Sequence, residues 1–187
     1  MTNPTWLDYK TWKTPRWKTS ISRKVLSMPA RTFLNYLDSR KTQILDFGCG
    51  RGSYDVNNLI ANGFDAKGYD PYYKNNLTLF NNSYQHVMLL YVINVIESEI
   101  ERAEVLRYAW NLTDINLIIA VRTGSKGEVY TKSGTFQKYF TGQSFKDFVN
   151  KSLYGYNFKI QYQKSGVMIV ERVKELLFNF TVNNSEK

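Results

Sequence analysis

The chain has 187 residues, 43% of them apolar and 22% charged, which predicts one domain able to bury a core and excludes a disordered tail, a collagen-like repeat and a disulfide scaffold. Lys and Arg number 25 against 16 Asp and Glu, a net charge of +9, and the chain holds one cysteine and one histidine, Cys49 and His86. No zinc cluster can be built from that inventory, and a Ser-His-Asp or Cys-His hydrolase would depend on His86 alone. The longest apolar run, 87–96, is far short of the roughly 20 residues of a membrane helix. The first thirty residues lack an apolar secretion segment, so the expected setting is the cytoplasm, away from membranes.

The charge is segmented. Residues 1–43 carry a net +7, residues 44–121 a net −4, and residues 122–151 a net +4. Basic flanks around an acidic centre suit a polyanion such as nucleic acid. In the first segment Trp6, Tyr9, Trp12 and Trp17 alternate with Lys10, Lys13, Arg16 and Lys18. Such aromatics can stack on unpaired bases; equally, they can form a lid or an arm packed back on the core.

In chain order, Pro4 and Pro15 predict an irregular arm over 1–20. A helix capped by Ser20 or Ser22 is expected to run to about Asp38, interrupted at Pro29. Ile44–Phe47 reads as a strand, followed by a Gly-rich turn, a helix over about 54–62, and a second strand at Phe64–Tyr69. Residues 72–84 are polar and Asn-rich, with only a weak element. A third strand at Val87–Val92, a helix at Glu97–Leu112 and a strand at Ile115–Val121 follow. The Gly- and Lys-rich stretch 122–141 leads to a helix over about 143–153. Two strand-like runs, about 157–163 and 166–172, flank Lys164-Ser165-Gly166 and predict a closing hairpin. This alternation means an open, mainly parallel α/β sheet.

The sharpest signal is Ile44-Leu45-Asp46-Phe47-Gly48-Cys49-Gly50-Arg51-Gly52. Glycines at the first strand-to-helix turn let the backbone approach a nucleotide, and Asp70, ending the next strand, can accept hydrogen bonds from ribose hydroxyls. The spacing is G-x-G-x-G, with Ser53 where a dinucleotide fingerprint needs glycine. Asp46 would repel a pyrophosphate and could hold a cationic amino-acid ligand.

This block resembles motif I of the class I S-adenosylmethionine-dependent methyltransferases, and Gly68-Tyr69-Asp70-Pro71 resembles their second motif. The resemblance implies a Rossmann-like open, mostly parallel seven-stranded sheet with an antiparallel C-terminal hairpin strand. It implies S-adenosyl-L-methionine as cofactor, with Asp46 facing the methionine end, Gly48, Cys49, Gly50 and Gly52 the ribose–methionine linkage, and Asp70 with Pro71 the ribose. Domain limits follow: a basic arm and helix at 1–43, a methyltransferase core at 44–175 and a tail at 176–187. Further runs, Thr19–Lys24, Tyr91–Glu97, Glu101–Glu104 and Gly134–Phe140, are similar to methyltransferases associated with DNA phosphorothioation systems. That similarity implies nucleic acid as acceptor and DNA-modification proteins as partners. The family's acids after the glycine loop and before the third strand are replaced by Ser53 and Gln85. The adenine amino contact is therefore expected from Asn81, Asn82, Ser83 or Gln85.

Methyl transfer is an in-line displacement that requires alignment, exclusion of water and sometimes a proton acceptor. The third strand's end delivers Tyr91, Asn94 and Glu97 to the ligand edge of the sheet. Asn94 is expected to orient the acceptor, and Glu97 or Tyr91 to take a proton; Glu97 can also be a first-turn helix acid. Arg23 and Lys24, opening the N-terminal helix, are expected to reach substrate phosphate. Phe136, Gln137 and Lys138 lie in a long aromatic, basic loop placed to touch substrate, although Phe136, Tyr139 and Phe140 can equally anchor a core. The chain lacks the Asp-Pro-Pro-Tyr, Asn-Pro-Pro-Phe and Pro-Cys signatures of base-modifying methyltransferases.

Overall fold

The computed structural model describes residues 4–37 and 40–173. Eight strands and four α-helices alternate: α1 (Met28–Leu34), β1 (Gln43–Phe47), α2 (Tyr54–Ala61), β2 (Asp65–Tyr69), β3 (Tyr84–Leu90), α3 (Glu99–Asn111), β4 (Thr113–Ala120), β5 (Glu128–Tyr130), β6 (Phe136–Lys138), α4 (Gly142–Ser152), β7 (Phe158–Lys164) and β8 (Val167–Arg172). Six strands form one sheet in the order β2-β1-β3-β4-β8-β7, and β5 pairs with β6 as a separate ribbon. Strands β1 to β4 run parallel, whereas β8 is antiparallel to β4 and β7 to β8. The hairpin turns on Ser165 and Gly166, both with positive φ, the geometry whose twist matches its strands.

The sheet has six strands, not the expected seven. Residues 71–83, between β2 and β3, hold only a 3-10 turn at Leu77–Asn81, and so short a link cannot carry both a crossover helix and another strand. The predicted tail, 176–187, lies outside the described residues.

Both faces of the sheet are buried, as parallel sheets require. Leu45, Phe47, Val87 and Leu89 face α3 and α4, through Val105, Leu106, Trp110, Phe145 and Val149. Their strand neighbours Ile44, Met88 and Leu90 face α1 and α2, through Ala30, Phe33, Val56 and Leu59. His86 sits on that second face, 5% exposed with its ring edge-on to Phe33; burial lowers its pKa to about 4.

Helix starts follow side-chain caps. Ser27, not Ser20 or Ser22, caps α1 by accepting the Ala30 N–H, and Pro29 lies in the first turn, where its missing N–H costs nothing. Arg23 and Lys24 thus precede the helix instead of opening it. Ser98 caps α3, which leaves Glu97 outside the helix. The arm is three short 3-10 turns, Thr5–Leu7, Tyr9–Thr11 and Arg16–Thr19, folded onto the C-terminal edge of the sheet.

Candidate functional site

The strand order reverses around β1: one crossover leads from β1 to β2 on one side, and the chain then returns to β3 on the other. Ligands of open α/β sheets bind at such a reversal, beyond the carboxyl ends of the strands. A cavity of about 140 Å³ lies there, lined by Gly48, Cys49, Gly50, Asp70, Pro71 and Tyr91 among others. Gly48 has φ +98°, and a Cβ on it would stand 2.3 Å from the Val92 side chain; Gly50 has φ +67°. These two positions take the left-handed backbone that glycine tolerates, and the loop they shape is pinned by Gly48 and Cys49 N–H donation to the Tyr69 carbonyl at 2.7 and 2.9 Å.

Asp70 organises the opposite wall. Its Oδ1 accepts the N–H groups of Tyr72 and Tyr73, each at 2.9 Å, and its Oδ2 accepts that of Gly50 at 3.1 Å. A carboxylate offers about four lone-pair sites, so capacity remains on Oδ2 for a ligand hydroxyl. Asp46 stands just behind the lining residues, 4% exposed. Burial first, then the nearby Asp55 carboxylate, raises its pKa well above the usual range, with Arg23 opposing. Cys49, within the loop, receives a hydrogen bond from Ser53 Oγ at 3.3 Å; burial and then Asp46 push its thiol up to about 12. It is an inert wall residue.

The arm roofs this cavity. Trp6 is buried against Phe47 and Tyr108, and Trp12 donates from Nε1 to the Trp6 carbonyl at 3.2 Å. Trp17 stacks on Tyr72 with ring centroids 4.8 Å apart and planes 6° from parallel. Ser20 Oγ accepts the Arg51 N–H of the glycine loop at 2.9 Å. The fastening is Arg16, 7% exposed, whose guanidinium donates to Glu97 from Nε at 2.9 Å and to Glu101 from Nη2 at 2.9 Å, while the Thr14 hydroxyl donates to Glu97. Burial alone would raise the Glu97 pKa; the Thr14 and Arg16 hydrogen bonds outweigh it and hold it below the ordinary value. Of the two readings of the arm, the roof is the one the structure adopts, which leaves Trp6 no face for a base.

The expected site residues divide accordingly. Gly48, Cys49, Gly50, Asp70, Pro71, Tyr91 and Arg23 line the cavity, with Asp46 behind them; Gly52 stands off it against Tyr54. Glu97 is not a free proton acceptor, because it is paired with Arg16. Asn94 is 1% exposed and does not line the cavity; its backbone carbonyl accepts from Gln137 Nε2 at 3.2 Å. Phe136 is a core anchor, 2% exposed against Tyr130 and Arg102, and Lys138 pairs with Glu128 at 3.6 Å, so that segment supports the site from below. Lys24 is exposed and outside the cavity. The expected adenine partners do not reach it either: Gln85 Oε1 accepts from Thr42 and Gln43 at the far edge of the sheet, Ser83 donates to Asp114, and Asn81 and Asn82 are exposed.

Sequence reasoning missed the Arg16 fastening and Arg122. No spacing in the sequence pointed to the first, because Glu97 precedes α3 and it is Arg16 that joins it to Glu101. Arg122 follows β4, and its guanidinium carbon lies 5.9 Å from the centre of the Tyr91 ring, with that of Arg23 at 5.7 Å.

No protein-family model and no curated protein matches the chain. Solved structures do. A Burkholderia thailandensis 1,6-didemethyltoxoflavin-N1-methyltransferase with bound S-adenosylhomocysteine aligns at TM-score 0.59 and 12% identity, over 79% of this chain and 78% of that one. A Methanosarcina mazei S-adenosylmethionine-dependent methyltransferase gives 0.55 and 13%, over 81% and 100%. Magnesium protoporphyrin IX methyltransferase from Synechocystis PCC 6803 with bound S-adenosylmethionine gives 0.52 and 14%, over 84% and 90%. At these identities the likeness establishes the fold, which is that of the methyltransferases, one strand short.

Proposed function

We propose that the protein is an S-adenosylmethionine-dependent methyltransferase whose cofactor lies in the cavity beneath the arm. The observation that carries this is the meeting of Gly48, Gly50 and Asp70 at the point where the strand order reverses, under the arm. The donor set fits the cofactor. Asp70 keeps acceptor capacity for ribose hydroxyls. Among the described residues no hydrogen-bond donor reaches the buried Asp46 carboxylate, which suits a cationic methionine end. When bound, the cofactor supplies an activated methyl group. The chain's part is to hold it by Asp46, Asp70 and the loop backbone, to exclude water with Trp6, Trp12 and Trp17, and to present Tyr91 at the cavity wall as the group able to take a proton.

For the acceptor we propose nucleic acid, as the phosphorothioation-type resemblance suggests, with DNA-modification proteins as partners. The exposed Lys10, Lys13 and Lys18 on the roof and the adjacent Arg51 support it. Small molecules are the competing acceptors, by analogy with the toxoflavin-precursor and porphyrin enzymes above; steep salt dependence separates the two. A second reading has an observation of its own: with Glu97 fastened and Asn94 packed away, two of three expected catalytic groups miss the cavity, which favours a cofactor-binding accessory subunit.

Calorimetry with S-adenosylhomocysteine, followed by labelled methyl transfer to purified DNA and RNA, tests these readings. Asp70→Ala is expected to lose about 1.5–3 kcal/mol of homocysteine-product affinity, the worth of hydrogen bonds to a charged acceptor. Absence of binding by the wild type rejects the cofactor, and binding without transfer to any nucleic acid rejects the nucleic-acid acceptor and leaves a small-molecule acceptor or the accessory role.

A further inference from the structure

Beside the cavity a second, cationic feature is left over once the cofactor residues are assigned. Tyr91 follows the strand β3 with φ +60°, a left-handed conformation that a bulky aromatic residue adopts only when its surroundings impose it. Its N–H donates to the Ala120 carbonyl at 2.8 Å, which ties the turn to the end of β4. The ring lies at the cavity wall, within cation–π distance of two guanidiniums. Arg23 follows the roof in the chain, pairs with the buried Asp55 at 3.5 Å and lies near Asp46. Arg122 leaves the end of β4, is exposed, and has no carboxylate partner among the described residues.

Arg16, Arg102 and Arg172, unlike Arg122, are committed. Arg16 holds Glu97 and Glu101, Arg102 holds Glu128, and Arg172 donates to the Thr113 and Trp110 carbonyls. An arginine facing an aromatic ring at a cavity edge, without an acid to neutralise it, is a ready oxyanion receptor, because its planar fork matches carboxylate and phosphate oxygens. The ring keeps both guanidiniums extended, so little side-chain freedom is lost on binding.

We infer that Arg122, with Arg23 also within reach of the Tyr91 ring, forms an oxyanion site that holds a phosphate or carboxylate of the methyl acceptor beside the cofactor cavity. This rests on the methyltransferase reading above and narrows it: the acceptor is an anion, gripped at the ends of β3 and β4, and not on the roof lysines alone. Tyr91 then faces the acceptor with its phenol while the two arginines fix the acceptor's orientation.

The test uses the full chain and two variants, Arg122→Gln and Arg122→Lys, at an exposed position where folding is undisturbed. Calorimetry first measures S-adenosylhomocysteine, then, in its presence, thymidine 5′-monophosphate, benzoate and a hexathymidylate strand. The expected result is product affinity within twofold of wild type in both variants. At least one anion should weaken fivefold or more in Arg122→Gln, with partial recovery in Arg122→Lys. A loss confined to the strand assigns the oxyanion to a nucleic-acid phosphate, and a loss confined to the mononucleotide or benzoate assigns it to a small acceptor. Anion affinities equal in wild type and Arg122→Gln, or no anion binding by wild type, overturn the site. Arg122-dependent anion binding without any product binding instead rejects the methyltransferase reading and leaves the site standing.

Discussion

Glu97→Gln separates two roles that the same carboxylate could play. As a proton acceptor, Glu97 would be needed for chemistry and dispensable for stability. As the post to which the roof is fastened, it should show the reverse. Its side chain is 7% exposed, as is that of Arg16. Breaking a buried pair costs about 3–5 kcal/mol when a charge is left uncompensated. Here Glu101 stays on the guanidinium, and a glutamine oxygen still accepts from Thr14, so the expected loss is about 2 kcal/mol, near that of one charge-assisted hydrogen bond. An exposed pair would give under about 1 kcal/mol, which makes that figure the dividing line. Urea unfolding followed by tryptophan fluorescence measures it, and a cycle with Arg16→Met isolates the pair. The loss should also depend on pH. A carboxyl held below its ordinary value stabilises the fold above about pH 4.3, the unfolded value, and that contribution disappears as pH falls through the folded value. If Glu97→Gln unfolds within about 0.5 kcal/mol of wild type while methyl transfer is abolished, the fastening argument is wrong and Glu97 is the base.

Three further outcomes are expected. Asp46→Asn should raise stability at pH 7 by about 1 kcal/mol, since it removes a buried acid crowded by Asp55, yet weaken S-adenosylhomocysteine binding; a less stable variant would contradict the account of Asp46. His86 is held neutral by burial down to about pH 4, whereas it protonates near 6.5 when unfolded. Its contribution is therefore complete above about pH 6.5 and lost on acidification toward pH 4, by up to about 3 kcal/mol, and His86→Phe should flatten that part of the stability profile. Cys49, with its thiol pushed up to about 12, should react with Ellman's reagent at pH 8 at least about a hundredfold more slowly than free cysteine; rapid labelling would show that the loop opens.

Much of the fold was legible because its signals are local. The apolar run in β1, the glycines after it, Asp70 and the Ser165-Gly166 turn each act through their own backbone, and together they locate the cavity. What could not be read depends on partners distant in the chain. Nothing near Arg16 announces Glu97, 81 positions away, so the sequence left open whether the basic, tryptophan-rich segment is a polyanion surface or an arm packed on the core, and did not show that Arg16 is spent on the fold. Phe136 was left open between substrate contact and core anchor for a related reason: in a three-residue strand, alternation cannot say which side is buried, and the ribbon's packing decided for the core. The helix start misplaced at Ser20 or Ser22 shows competition between caps. Ser27 prevailed because Pro29 is preset for a first turn, while Ser20 serves the glycine loop.

The separation between Arg16 and its acids also bears on the order in which the molecule assembles. Residues 4–20 are synthesised well before α3, and their anchoring contacts close loops of 81 and 85 residues. Loop closure of that span is slow and is rewarded only once α3 already lies on the sheet. The tryptophans are therefore expected to stay in solvent while the sheet forms, with the binding cavity enclosed late in folding. The same segment should be the first to detach under mild denaturant, so that amide exchange at Arg51, covered by Ser20, reports the completion and the loss of the site ahead of any change in the strands beneath it.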